Sequence, residues 1–94
     1  INPKDIEEVI AELPEVAEVA VVGVDDEMMG QTIKAVIVPR EQDALTVRAI
    51  KAHCHTRLAS YKIPRDVEFV AQLPKTASGK VKRFLLTTNA AAGH

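Results

Sequence analysis

The chain has 94 residues, of which 47% are hydrophobic and 27% charged, with a formal net charge of −1; a chain of this length buries about 60–65% of its unfolded surface, enough for one core and one domain. No apolar run approaches the roughly 20 residues a membrane-spanning helix needs, no signal-peptide pattern opens the chain, and a single cysteine excludes an internal disulfide, so the expected setting is cytoplasmic. The small net charge hides a polarity: residues 1–50 carry 4 basic and 11 acidic side chains, whereas 51–94 carry 8 basic and 2 acidic ones. A basic half suits a phosphate-bearing partner, the alternative being charges that only solvate two faces.

In chain order, Asn2 can cap a helix with Pro3 at its first position and Asp5 in its first turn, while Ile6, Val9, Ile10 and Leu13 recur at i, i+3, i+4 and i+7. The spacing predicts a helix over 3–13, stopped by Pro14. Residues 19–24 form a β-branched run closed by Gly23 and the acidic Asp25-Asp26-Glu27 turn, and 33–38 form a second run ending at Pro39. These two are expected to pair antiparallel, with both faces covered because the apolar residues hardly alternate. Residues 41–44 read as a loop, after which Thr46 can cap a second helix whose Val47, Ile50, Cys54 and Leu58 line one stripe against the sheet. A third strand is expected over 67–70, a loop over 73–79, and a last helix turning Val81, Phe84, Leu85 and Thr88 inward. The tail 89–94 has nothing to bury and should fray. The fold class is therefore α+β, a small mainly antiparallel sheet of about three strands flanked by helices.

Pro74-Lys75-Thr76-Ala77-Ser78-Gly79-Lys80-Val81-Lys82-Arg83 reads as a polar turn ending in a lysine at the start of that last helix. An ammonium beside free backbone N–H groups at a helix N-terminus suits a phosphate or a developing negative charge. The phosphate-binding loop of nucleotide hydrolases is excluded, since it needs a glycine where Pro74 stands and a hydroxyl where Val81 stands. Two further clusters read as structure. Asp25-Asp26-Glu27 lacks the spacing of a calcium loop, and in His53-Cys54-His55 neighbouring helical residues diverge while Cys54 belongs to the apolar stripe. No metal site is expected.

Four segments carry a resemblance: Ile1-Asn2-Pro3-Lys4-Asp5-Ile6-Glu7; Val21-Val22-Gly23-Val24-Asp25-Asp26-Glu27 with Gly30; Leu58-Ala59-Ser60-Tyr61-Lys62; and Leu73 through Arg83. In this order and spacing the chain resembles, nearly end to end, the C-terminal lobe of the adenylate-forming superfamily of acyl- and aryl-CoA synthetases, peptide-synthetase adenylation domains and luciferases. The resemblance implies that 1–94 is a mobile lid behind a large N-terminal domain, with a hinge and a short glycine-containing hairpin upstream of Ile1, and the missing initiator methionine agrees with a fragment. It implies ATP and CoA as cosubstrates, Mg2+ entering with ATP and held mainly by the N-terminal domain, and a carboxylic acid activated as acyl-AMP before transfer to CoA.

By motif, Lys80 matches the family lysine that stands between the substrate carboxylate and the α-phosphate, with Thr76, Ser78 and Gly79 forming the nucleotide-facing turn before it. Gly79 would let the backbone turn sharply, and Thr76 and Ser78 would bond local amides to fix it. Arg83 reads as an ion-pairing or capping residue and Lys82 as solvated surface. In similar CoA ligases the turn Tyr61-Lys62-Ile63-Pro64-Arg65 lies near the nucleotide end of CoA, making Lys62 and Arg65 candidate phosphate contacts assisted by the backbone of Ile63 and Pro64; Tyr61 would otherwise pack on the sheet. The chain departs from some relatives at Met29 and His55, where those carry basic residues. Carrier-protein-loading domains commonly show Tyr-Met-Ile-Pro where this chain has Tyr61-Lys62-Ile63-Pro64, which favours CoA as acceptor over a carrier protein. A nucleic-acid-binding module is the reading from another class, but with one Tyr and two Phe there is little to stack bases on, and no nucleic-acid partner is expected.

Overall fold

In the computed structural model, which describes residues 2–28 and 30–87, the Asn2 side chain accepts the Lys4 N–H at 3.0 Å and opens helix α1, Pro3–Ala11. The helix ends two residues short of 13: the Glu12 and Leu13 amides bond back to Val9 and Ile10 in a closing turn, and Pro14 cannot extend it. Met29, Thr88 and the tail 89–94 lie outside the described residues.

Strands β1 (Val16–Asp26) and β2 (Gly30–Pro39) pair antiparallel, in a register that sets Val21 opposite Ala35 and Asp26 opposite Gly30. Both are longer than the β-branched runs because polar residues at their ends still pair through the backbone, which leaves no apolar signal to read. At the tip, Asp26 Oδ1 accepts the Met28 N–H at 2.9 Å, and Gly30 takes φ +81°, a left-handed conformation that glycine adopts freely. The acidic turn is thus a hydrogen-bonded strand connection.

Thr46 Oγ1 accepts the Ala49 N–H at 3.1 Å and caps helix α2, Val47–Arg57. Of the expected stripe, Ile50 and Cys54 are fully buried, Leu58 is half-buried, and Val47 in the first turn is exposed. Helix α2 then returns the chain to strand β3 (Asp66–Phe69), which joins β2 in parallel from Lys34–Asp66 to Ile37–Phe69. A parallel neighbour needs such a crossover. The sheet order is β1-β2-β3, so it is mainly antiparallel with one short parallel edge.

Each face of the sheet has its own core. Ile6 and Ile10 of α1 and Ile50 and Cys54 of α2 cover Val21, Ile33, Ala35 and Ile37. On the other face Ala20, Val22, Val24, Val36 and Val38 are covered by Leu73 and Leu86, with Val70 and Val81 at the margin. That second cover explains why the strands do not alternate, but it is not the predicted helix. Among the described residues of this segment only a single 3-10 turn, Arg83–Leu85, forms, and Phe84 and Leu85 point outward, 69% and 51% exposed, while Leu86 is buried. The cause lies just upstream. The Lys80 carbonyl accepts from the Thr76 N–H, the Val81 carbonyl from the Arg83 N–H and the Lys82 carbonyl from the Leu85 N–H, so none of them opens an i to i+4 ladder.

Candidate active-site hairpin

The residues from Pro74 to Lys82 fold into a small hairpin. The Lys82 N–H donates to Pro74 O at 2.8 Å, the Thr76 N–H to Lys80 O at 2.8 Å and the Gly79 N–H to Thr76 O at 2.9 Å, and Lys75 bridges Val81 antiparallel. Gly79 at φ +91° closes a four-residue turn with a left-handed residue, the device by which short loops are fitted to twisted strands. The expected hydroxyl fixing is present in one case and altered in the other. Thr76 Oγ1 accepts the Lys80 N–H at 3.1 Å, whereas Ser78 Oγ bonds the Thr76 hydroxyl at 3.0 Å rather than an amide.

Lys80 is therefore not at a helix N-terminus, and its backbone N–H is already bonded. No helix dipole favours an anion at this point. Positive charge here comes from the side-chain ammonium, which is exposed and has no side-chain partner among the described residues. Two cationic neighbours, Lys75 and Arg83, are engaged elsewhere. Lys75 pairs with Glu18 on β1; Arg83 Nη1 donates to Glu7 Oε2 at 2.6 Å and to Val21 O at 2.9 Å. Arg83 is the ion-pairing residue expected from sequence. Lys82 is half-buried, not the solvated side chain expected.

The second predicted cluster lies on a 3-10 turn, Ser60–Lys62, and the loop after it. Tyr61 is 71% exposed and does not pack on the sheet; Lys62 Nζ sits 6.0 Å from its ring centroid, at the outer limit of a cation–π contact. Lys62 and Ile63 are half-buried and Arg65 is exposed. Pro64 is fully buried and shapes the turn. The Lys62, Ile63 and Arg65 amides are bonded to Ala59, Ser60 and Ile33, leaving the Lys62 and Arg65 side chains as the donors the turn presents. The Arg65 carbonyl is held by Lys51 Nζ at 3.0 Å.

Cys54 is buried in the helical core, and burial pushes its thiol above the ordinary value of 9.0. His53 turns away from it to Val9 O at 3.0 Å and Glu12 Oε1 at 3.1 Å, while His55 is exposed. An open depression of about 540 Å³ lined by Pro39, Leu45, Phe69 and Val70 includes none of the predicted site residues. Sequence reasoning missed Glu7 and Glu18 as partners of the hairpin; Glu7 lies 76 residues from Arg83, and no periodicity links them.

Fold and hairpin together define an α+β lobe whose candidate chemistry projects on a loop. Residues 5–80, ending on Lys80, match the AMP-binding enzyme C-terminal domain, and the chain belongs to that family. It is 42% identical over 90 residues to sulfoacetate–CoA ligase of Cupriavidus necator, spanning 96% of this chain and 18% of that protein. Indoleacetate–CoA ligase of Aromatoleum aromaticum is 43% identical over 83 residues, 88% of this chain and 16% of that protein. Among solved structures, a Mycobacterium tuberculosis fatty acyl CoA synthetase superposes with a TM-score of 0.88 at 37% identity, covering 97% of this chain and 18% of that one. An anthranilate CoA ligase in complex with anthranoyl-AMP gives 0.86 at 38% identity, covering 98% and 19%. The chain thus spans less than a fifth of the length of these relatives.

Proposed function

We propose that this chain is the mobile C-terminal lobe of an ATP-dependent acid–CoA ligase and that Lys80 is its catalytic residue in acyl-AMP formation. The observation that carries the proposal is the exposed Lys80 ammonium on a hairpin whose turn is held by hydrogen bonds of Thr76, Ser78 and Gly79, in a chain similar to proteins named as CoA ligases. Attack of a carboxylate on the α-phosphate of ATP brings two anions together and builds charge on phosphoryl oxygens. A cation held between them offsets that repulsion, a contribution of a few kcal/mol per group.

In this reading Thr76, Ser78 and Gly79 act by fixing the turn, since their hydrogen bonds are spent within it. Mg2+ accompanying ATP is assigned to the rest of the ligase, as is most of the ATP and acid pocket. Lys62 and Arg65 are the side chains offered to CoA phosphates. The lobe presents Lys80 for the first half-reaction and rotates to support thioester formation in the second, so that one pocket serves two steps with different needs. In the full-length protein, Lys80→Ala is expected to lower acyl-AMP formation about 10²–10³-fold and to spare CoA transfer to pre-made adenylate. ATP–pyrophosphate exchange and thioester assays measure the two separately; adenylation at the wild-type rate would remove Lys80 from the chemistry.

A further inference from the structure

Strand β1 is an edge of the sheet, so outward N–H and C=O groups along it need partners from outside the ladder. At Val21 both are met by side chains. Glu7 Oε2 accepts the Val21 N–H at 2.8 Å, Arg83 Nη1 donates to Val21 O at 2.9 Å, and the two side chains meet at 2.6 Å. Glu7 and Arg83 thus stand in for a missing neighbour strand at one residue, and they join three parts of the molecule: α1, β1 and the segment three residues past Lys80. At the other root of the hairpin, Lys75 pairs with Glu18.

The two anchors are unequal. The Glu7 side chain is 16% exposed and that of Arg83 49%, with both acceptors of the guanidinium fixed to the fold, whereas Lys75 and Glu18, 38% and 39% exposed, form a single pair, a kind worth little by itself. The hairpin's remaining hold on the lobe is apolar, through Leu73, Val81 and Leu86. Such contacts resist separation but specify orientation poorly. A guanidinium with two fixed acceptors specifies it well.

We infer that Glu7, acting through Arg83, is a positioning residue for Lys80: the clamp on Val21 sets the angle at which the hairpin delivers the ammonium. The inference rests on the reading of Lys80 above and deepens it. A displacement of about 1 Å at a reacting group can cost on the order of 10²-fold in rate, so the clamp should show in catalysis before it shows in stability.

The test uses the full-length protein with Glu7→Gln, Arg83→Met, the double variant, Arg83→Lys and, as control, Lys80→Ala. Adenylation is followed by ATP–pyrophosphate exchange, thioester formation from pre-made adenylate is assayed separately, and thermal melting reports the fold. Glu7→Gln and Arg83→Met are each expected to lower the adenylation kcat about tenfold or more with the KM for ATP within about twofold, and to spare thioester formation; the double variant should be no worse than the weaker single. Arg83→Lys should recover much of the rate. If both half-reactions fall together in proportion to the folded fraction, the clamp is only structural and the inference is overturned. Wild-type adenylation in the Glu7 and Arg83 variants, beside an inactive Lys80→Ala, overturns positioning alone. An active Lys80→Ala overturns the reading of Lys80 and this inference with it.

Discussion

The two faces of the sheet are covered by opposite means. On one, α1 and α2 place Ile6, Ile10, Ile50 and Cys54 in complete burial. On the other, an irregular segment lays Leu73 and Leu86 on the strands, leaves Val81 half-buried, and turns Phe84 and Leu85 out. Helices give the first face a rigid foundation. An irregular cover on the second lets the chain break away midway, between Leu73 and Val81, and project a hairpin with a lysine at its end. The difference teaches that the less regular cover is what makes room for the candidate chemistry.

Truncations on the two faces should differ accordingly. Ile10→Ala, in the helical core, is expected to destabilise by about 3–4 kcal/mol, Leu86→Ala by about 2, and the exposed Phe84→Ala by under about 0.5. Denaturant midpoints measure all three, and equal losses for Ile10 and Leu86 would erase the distinction. Gly79→Ala sharpens it. No atom lies within 4 Å of an added Cβ, so the cost is the left-handed backbone alone, about 1 kcal/mol, felt at the hairpin and not in the helical core; amide hydrogen exchange at Thr76 and Lys80 should quicken while that at Ile50 does not.

The smallest effect concerns pH. Because burial raises the Cys54 thiol above 9.0 in the folded state, the folded chain holds this proton more tightly than the unfolded one. Its contribution is present in full below pH 9.0 and is lost as pH climbs from there through the folded value. Cys54→Ser should flatten the alkaline fall in stability measured by thermal melting.

The charge polarity along the chain has a different meaning once the fold is known. Glu7 and Glu18 in the acidic half hold Arg83 and Lys75 in the basic half, and Glu12 pairs with His53 and Arg57. Several cations of the basic half are thus spent inside the lobe, while Lys80, Lys62 and Arg65 carry no ion pair among the described residues. Both readings of the polarity, a phosphate partner and plain solvation, missed this third one, because pairing across the sheet has no signature in local sequence.

The N-terminal cap at Asn2, the cap at Thr46, the antiparallel pairing of the two β-branched runs and the polar turn before Lys80 were legible in sequence, since each carries a local signal. The last helix was misread for a physical reason. Val81, Phe84 and Leu85 carry helical spacing, yet the Lys82 N–H is bonded to the Pro74 carbonyl and the Lys80 carbonyl to the Thr76 N–H. The exposure of Tyr61 and the burial of Pro64 had no local signal either, because exposure of a turn depends on what packs under it.

Local chemistry alone determined the α+β class, the caps, the glycine-bearing turn and the lysine that ends it. Only the tertiary structure decided that β3 joins in parallel, that a hairpin replaces a helix at Lys80, and that Glu7 and Arg83 meet at Val21. Contacts between residues far apart in sequence are set by which surfaces the fold brings together, and such contacts leave no period or motif along the chain.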